Sequence, residues 1–182
     1  MKNNSVKTVV AVGIGAALFF VLGRFVAIPS PVPNTNISLQ YAVLAMLAAM
    51  FGPVAGGLIG FIGHTLIDLS WGGAPWWSWV IASAFVGIVV GLVSKRMKIA
   101  EGEFDSASVI RFIVINVIAH VVAWVGIAPV LDILIYAEPV DKVFAQGAMA
   151  AAANIVTGVV VGLLLILAYV KTVAKKGSLD RE

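Results

Sequence analysis

Residues 143–170 run VFAQGAMAAAANIVTGVVVGLLLILAYV without one Asp, Glu, Lys or Arg, and the chain then turns basic at Lys171, Lys175 and Lys176. That run exceeds the ~20 apolar residues a helix needs to cross ~30 Å of hydrocarbon. A soluble fold scatters its charges over a wetted surface, whereas a chain solvated by lipid strips them from long segments. The pattern recurs towards the N-terminus. Nine of the twelve Lys and Arg residues fall in three short segments: Lys2 and Lys7; Lys95, Arg96 and Lys98; Lys171, Lys175, Lys176 and Arg181.

Composition agrees. Of 182 residues, 61% are hydrophobic and 12% charged, against a usual charged fraction of about a quarter, and the mean hydropathy is +1.05. This length suits one integral membrane domain over residues 1–182 with no attached soluble module. The net charge of +3 would suit nucleic acid, but the basic residues are juxtamembrane and act as topology signals, so nucleic acid is not an expected partner. With no cysteine, a disulfide framework, a thiolate metal site and a cysteine nucleophile are all excluded. The two lysines before an apolar start resemble a signal peptide, yet the run has no A-x-A cleavage site and is expected to be a retained span.

The expected fold is all-α: a polytopic membrane protein of six transmembrane helices in one compact bundle, with both termini cytoplasmic. The spans are roughly 8–28, 38–51, 54–69, 76–93, 109–136 and 143–170. After the first, PSPVPNTN (residues 29–36) alternates three prolines that cannot continue a helix and makes a stiff outer loop. Ser38 is placed to cap the second span, which at ~14 residues reaches only ~21 Å. Gly52-Pro53 then turns the chain without a charge, suggesting a hairpin whose inner end is shielded by protein. A second outer loop, SWGGAP (residues 70–75), leads to Trp76, Trp77 and Trp79. The loop containing KRMKIAEGEFD (residues 95–105) is the one markedly hydrophilic interior segment and is expected to be aqueous. Pro129 is expected to kink the fifth span or end it early, and the tail from Lys171 is a solvated end.

Orientation follows by counting. With both ends inside, ten of the twelve basic residues lie inside, and only Arg24 and Lys142 lie outside. No internal repeat supports an inverted-repeat transporter. No phosphate-cradling G-x-x-x-x-G-K-[ST] is present, so any energy must come from a partner or a gradient.

The chemistry rests on polar groups kept at membrane depth. His64 and Asp68, four apart on the third span, share a face near the outer leaflet, as a structural pair or as part of a cavity. Asn116, His120 and Trp124 form one stripe on the fifth span. Gln146, Asn154 and Thr157 are polar positions on the sixth. Asn154, within a small-residue run, suits helix-to-helix glue or a ligand contact. Gln146 and Trp124 are closer to the outer mouth. Asn34, Asn36 and Gln40 offer donors and acceptors near the proline loop, and Trp76 and Trp79 offer stacking faces. Aromatic walls with a few fixed polar groups suit a planar heterocycle with amide-like edges. With two histidines on different spans and no cysteine, no metal set is expected. No H-E-x-x-H, G-x-S-x-G or nucleophile–base spacing occurs, so no catalytic residue is assigned and no cofactor is expected. On the first span, Ala11 with Gly15 and Gly13 with Ala17 place small residues at spacing four, as packing or as a docking face.

NTNISLQYA (residues 34–42) and GFIGHTLIDLSWGGAPWWSWVIAS (residues 60–83) resemble the S components of energy-coupling factor (ECF) vitamin transporters, of the riboflavin-type branch. The resemblance covers nearly the whole chain. It implies a six-helix protein of a prokaryotic cytoplasmic membrane that captures a vitamin from outside. It would work with a membrane coupling subunit and two cytoplasmic ATPase subunits, toppling to present its site inward. ATP hydrolysis would belong to the partners and not to this chain. Gly13 and Ala17 match the family's coupling face. The implied ligand is riboflavin or a pyrimidine- or pyridoxine-type compound. A stand-alone transporter or channel using His64 and Asp68 as a proton relay, or a scaffold without transport, are the competing readings.

Overall fold

The structure is a computed structural model that describes residues 2–179, with side chains over 5–173. The helices in chain order are α1 (Lys2–Phe25), α2 (Gln40–Phe51), α3 (Pro53–Ser70), α4 (Trp77–Gly91), α5 (Ser94–Met97), α6 (Ser106–Val121), α7 (Ala128–Tyr136), α8 (Val140–Val156) and α9 (Gly162–Leu179). Turns of π-helix at Val122–Ile127 and Thr157–Val161 join α6 to α7 and α8 to α9. The proline-rich loop folds into a two-stranded hairpin, β1 (Ile28–Pro29) paired antiparallel with β2 (Asn36–Ile37). Asn34 takes the left-handed conformation at its tip, one that asparagine tolerates better than most residues.

Among the described residues, four helical segments are long and apolar enough to cross a membrane: Ser5–Phe25, Pro53–Ser70, Ser106–Tyr136 and Val140–Val173. A fifth forms if Trp77–Gly91 and Ser94–Glu101, bent by 41°, are taken as one span. The remaining expected span, α2, has 12 residues, about 18 Å at the helical rise. It sits inside the bundle, with Ala42, Leu44, Ala45 and Ala48 wholly buried. The molecule is an all-α membrane protein. Val9, Ile14, Val114 and Leu164 are exposed on its outside, while the interior collects Phe19, Leu44, Ile59, Phe112 and Trp124.

The tightest packing in the fold joins α3 to α4. Gly52, Gly56 and Gly60 on one strand of the seam meet Gly91, Gly87 and Ser83 on the other. A Cβ on Gly56 would collide with the Gly87 carbonyl, and one on Gly87 with that of Gly56. Backbone meets backbone here, so only glycine fits. Gly52, at φ 89°, makes the α2–α3 turn, with Pro53 in the first turn of α3. The end of α4 covers this turn from above, because Gly91 lies against Gly52 and Pro53.

Three local expectations are corrected. The helix begins after Leu39 with no side-chain cap, so Ser38 does not cap α2. The fifth span does not end at Pro129: the π turn at Val122–Ile127 widens the backbone just before it, and helix continues to Tyr136. The hydrophilic loop is only partly aqueous, since Met97 and Ile99 are 1% exposed and anchor it to the core between charged neighbours. At its end Asp105 caps α6 by accepting from the Ser108 amide at 2.7 Å, and hydrogen bonds from Ser108 hold its carboxyl below the usual range. The tail continues as helix to Leu179. Arg181 lies outside the described residues, as do the side chains of Lys2, Lys175 and Lys176.

Candidate functional site

One turn beyond Gly60, the glycine seam opens and polar side chains replace it. His64 on α3 faces Ser83 on α4, Nδ1 to Oγ at 2.5 Å, and the Ser83 hydroxyl also meets the Tyr41 hydroxyl of α2 at 2.7 Å. His64 Nε2 lies 3.6 Å from the Asp68 carboxylate. One consistent direction runs Tyr41 to Ser83 to His64, leaving the imidazole proton on Nε2 towards Asp68. Asp68 also accepts from the backbone N–H of Trp76 at 2.8 Å.

Trp76 links this group to a second acid. Its indole N–H donates to Asp132 of α7 at 2.6 Å, and the Trp79 indole donates to the other oxygen at 2.7 Å. The Ser78 hydroxyl donates to Asp132 as well. Indoles only donate, so the arrangement suits an acceptor-only carboxylate, held at 2% exposure. The Trp76 ring stacks on Tyr136 with centroids 4.3 Å apart, and Trp79 stacks on Trp124 at 5.5 Å. Trp124 is held in turn: its N–H donates to His120 Nδ1 at 2.8 Å. Gly147 of α8 touches the Trp124 carbonyl so closely that a Cβ there would collide with it. Deeper still, His120 Nε2 and Asn116 Oδ1 are buried without a hydrogen-bond partner among the described residues. Both lie next to Gly158 in the second π turn.

Of these groups Tyr41, His64, Asp68, Trp76, Trp79, Trp124 and Asp132 wall a cavity of about 630 Å³, within the range of small-molecule sites. The hairpin closes over it. Gln146 on α8 donates to the Pro33 carbonyl at 2.9 Å and pins the hairpin tip across the opening. Lys142 pairs with Glu138 at 2.6 Å on the rim, and the Arg24 guanidinium lies 3.8 Å over the Trp71 ring.

All of the residues singled out as ligand candidates line this one cavity. Asn34 and Asn36 come from the hairpin, Gln40 from the start of α2, and His64 and Asp68 from α3. Trp76 and Trp79 come from the start of α4, Trp124 from the π turn, and Gln146 and Asn154 from α8. Asp132, Tyr41 and Ser83 were not anticipated. An acid inside APVLDILIY was a readable signal, because ionisable groups at membrane depth seldom lack a role. Tyr41 and Ser83 carry no comparable mark. On α1 the small residues divide: Ala11 and Gly15 are buried, Gly15 against Ile59 and Leu47, whereas Gly13 and Ala17 face outward.

Residues 3–171 match the family described as ECF-type riboflavin transporter, S component. The chain belongs to that family. It is 53% identical to a UPF0397 protein of Lactococcus lactis subsp. cremoris over the full length of both chains. A UPF0397 protein of Exiguobacterium is 52% identical and one of Clostridium perfringens 50%, again over the whole of each chain. Membership in the S component family makes the chain the substrate-binding subunit of a vitamin transporter, a multi-pass membrane protein of a class that is typically non-enzymatic. Such S components work with coupling and ATPase subunits.

Proposed function

We propose that the chain captures a flat vitamin or vitamin precursor, riboflavin or a pyrimidine- or pyridoxine-type compound, from outside the cell membrane. The ligand sits in the cavity beneath the hairpin. In this reading the chain crosses the membrane six times, α2 being a short crossing inside the bundle, and both ends are cytoplasmic. A membrane coupling subunit docks on the outward face of α1 at Gly13 and Ala17, and two cytoplasmic ATPase subunits supply the energy. The supporting observation is that Trp71, Trp76 and Trp79 line one cavity together with a polar rim of Asn34, Asn36, Gln40 and Gln146. Indole faces suit flat molecules, and the rim reads their edges.

The proton-relay reading fits less well. From Asp68 the chain His64, Ser83, Tyr41 leads inward, but the Tyr41 ring is enclosed by Phe19, His120 and Trp124. A relay needs an onward hydrogen bond, and among the described residues none joins the Tyr41 hydroxyl to the His120 ring. Titration of the purified protein with riboflavin and with a pyrimidine precursor, followed by tryptophan emission, tests the capture reading. Trp79→Ala and Asn36→Ala should weaken the bound member at least tenfold at unchanged expression. Equal affinity in parent and both variants would remove the ligand from this cavity.

A further inference from the structure

The charges around the cavity do not balance, and the imbalance selects among ligands. Its lining carries three carboxylates, Asp68, Asp132 and Glu138, against the single ammonium of Lys142. Lys142 is committed to Glu138 at 2.6 Å. Asp132 has no cationic partner among the described residues. Its oxygens are held by the Trp76 and Trp79 indoles and the Ser78 hydroxyl, all neutral donors. Asp68 faces the imidazole edge of His64 at 3.6 Å and the Trp76 amide. Arg24 is engaged over the Trp71 ring and does not line the cavity. Two carboxylates thus face this hollow with no Lys or Arg paired to either among the described residues, and a positive group entering it would supply the missing partner.

The aromatic walls point the same way. Trp76 and Trp79 each donate their N–H to Asp132. Donation to an anion pushes electron density into the indole and strengthens the attraction of its face for a cation. Trp76 also touches both acids, Asp68 through its amide and Asp132 through its ring.

We propose that the molecule captured in this cavity is a flat ring bearing a positive charge, a protonated or quaternary ring nitrogen, and that phosphorylated forms are refused. The inference rests on the capture reading above and narrows it. A cation beside Trp76, the residue that touches both acids, neutralises Asp68 and Asp132 together. A phosphate monoester would meet both acids with its own charge, and the nearest ammonium is already paired.

The test uses the full chain in lipid nanodiscs and five probes: thiamine and 1-methylnicotinamide as ring cations, riboflavin and nicotinamide as neutral rings, and flavin mononucleotide as an anion. Affinities are read from tryptophan quenching and from the rise in melting temperature. A cation should bind at least tenfold tighter than the neutral probe of similar size. Asp68→Asn, whose amide oxygen still accepts from Trp76, should erase that preference, while Lys142→Gln, which leaves Glu138 unpaired, should increase cation affinity several-fold. Tightest binding of riboflavin, with an affinity indifferent to both substitutions, would overturn the charge inference and leave capture standing. Binding of flavin mononucleotide as tight as riboflavin would overturn it too. Failure of all five to bind a well-folded protein, both ring cations included, would overturn the charge inference, while capture of a ligand outside this panel would still be read from the titration with a pyrimidine precursor.

Discussion

Replacing Asp132 with Ala tests how the cavity wall is held. Two indoles, at 2.6 and 2.7 Å, and one hydroxyl share this single acceptor. Side-chain hydrogen bonds between helices in a membrane average ~0.6 kcal/mol and reach ~1.7, and bonds to an ionised acceptor are about twice as strong as neutral ones. At the average value, three such bonds give a gross loss of about 3.5–4 kcal/mol. Removing the carboxylate also returns its own desolvation cost, so the net fall in stability is placed at about 2–3 kcal/mol, or about 30- to 150-fold in the unfolding constant. Asp132 is 2% exposed, so any water that replaces the missing acceptor must come from the cavity side. The assay is reversible unfolding in mixed micelles followed by tryptophan emission. Asp132→Asn serves as an intermediate, because its amide NH₂ must face one of the two indole N–H groups. A stability within ~0.5 kcal/mol of the parent, with unchanged emission, would mean that Trp76 and Trp79 are fixed by packing alone and that the argument is wrong.

Gly87→Leu forces a side chain into the Gly56 carbonyl and should cost about 3 kcal/mol or more, read as a lower melting temperature in detergent. Gly13→Leu adds its side chain to open surface, where nothing lies within 4 Å of an added Cβ. It should leave melting and ligand binding unchanged while abolishing uptake in cells that carry the coupling and ATPase subunits. Gln146→Ala removes the bond to the Pro33 carbonyl; at about 1 kcal/mol for that bond, ligand should dissociate about fivefold faster in stopped-flow, and the hairpin should be cleaved sooner by protease.

Much of the architecture was legible because lipid leaves so few choices. An uncharged run must be helical, a proline cluster must break it, and basic residues mark its ends. What stayed hidden had weaker local signatures. The α3–α4 seam is written as Gly52, Gly56, Gly60 against Ser83, Gly87, Gly91, a spacing-of-four pattern on two segments, but its meaning depends on which helices become neighbours. Pro129 signalled a break, and the π turn before it is a backbone response that no side chain announces. Met97 and Ile99 looked aqueous among lysines and glutamates, because burial of single residues in a short loop has no period to read.

The site divided along the same line. His64, Asp68 and the tryptophans stood out as polar or aromatic groups at membrane depth, and they converge on one hollow. Asp132 is sequestered by neutral donors from another helix 53 to 56 residues away, a pairing that only the fold creates. Ser83 is a small hydroxyl in a mostly apolar helix, and its bonds to Tyr41 and His64 come from the close approach that the glycines permit.

The most direct measurement is native mass spectrometry of the full chain taken from its own membranes in mild detergent. One vitamin-sized molecule per chain is predicted, retained by the parent and by Gly13→Leu and absent from Trp79→Ala. A parent chain that arrives empty from vitamin-replete cells, or an adduct that Trp79→Ala keeps in full, would contradict the account.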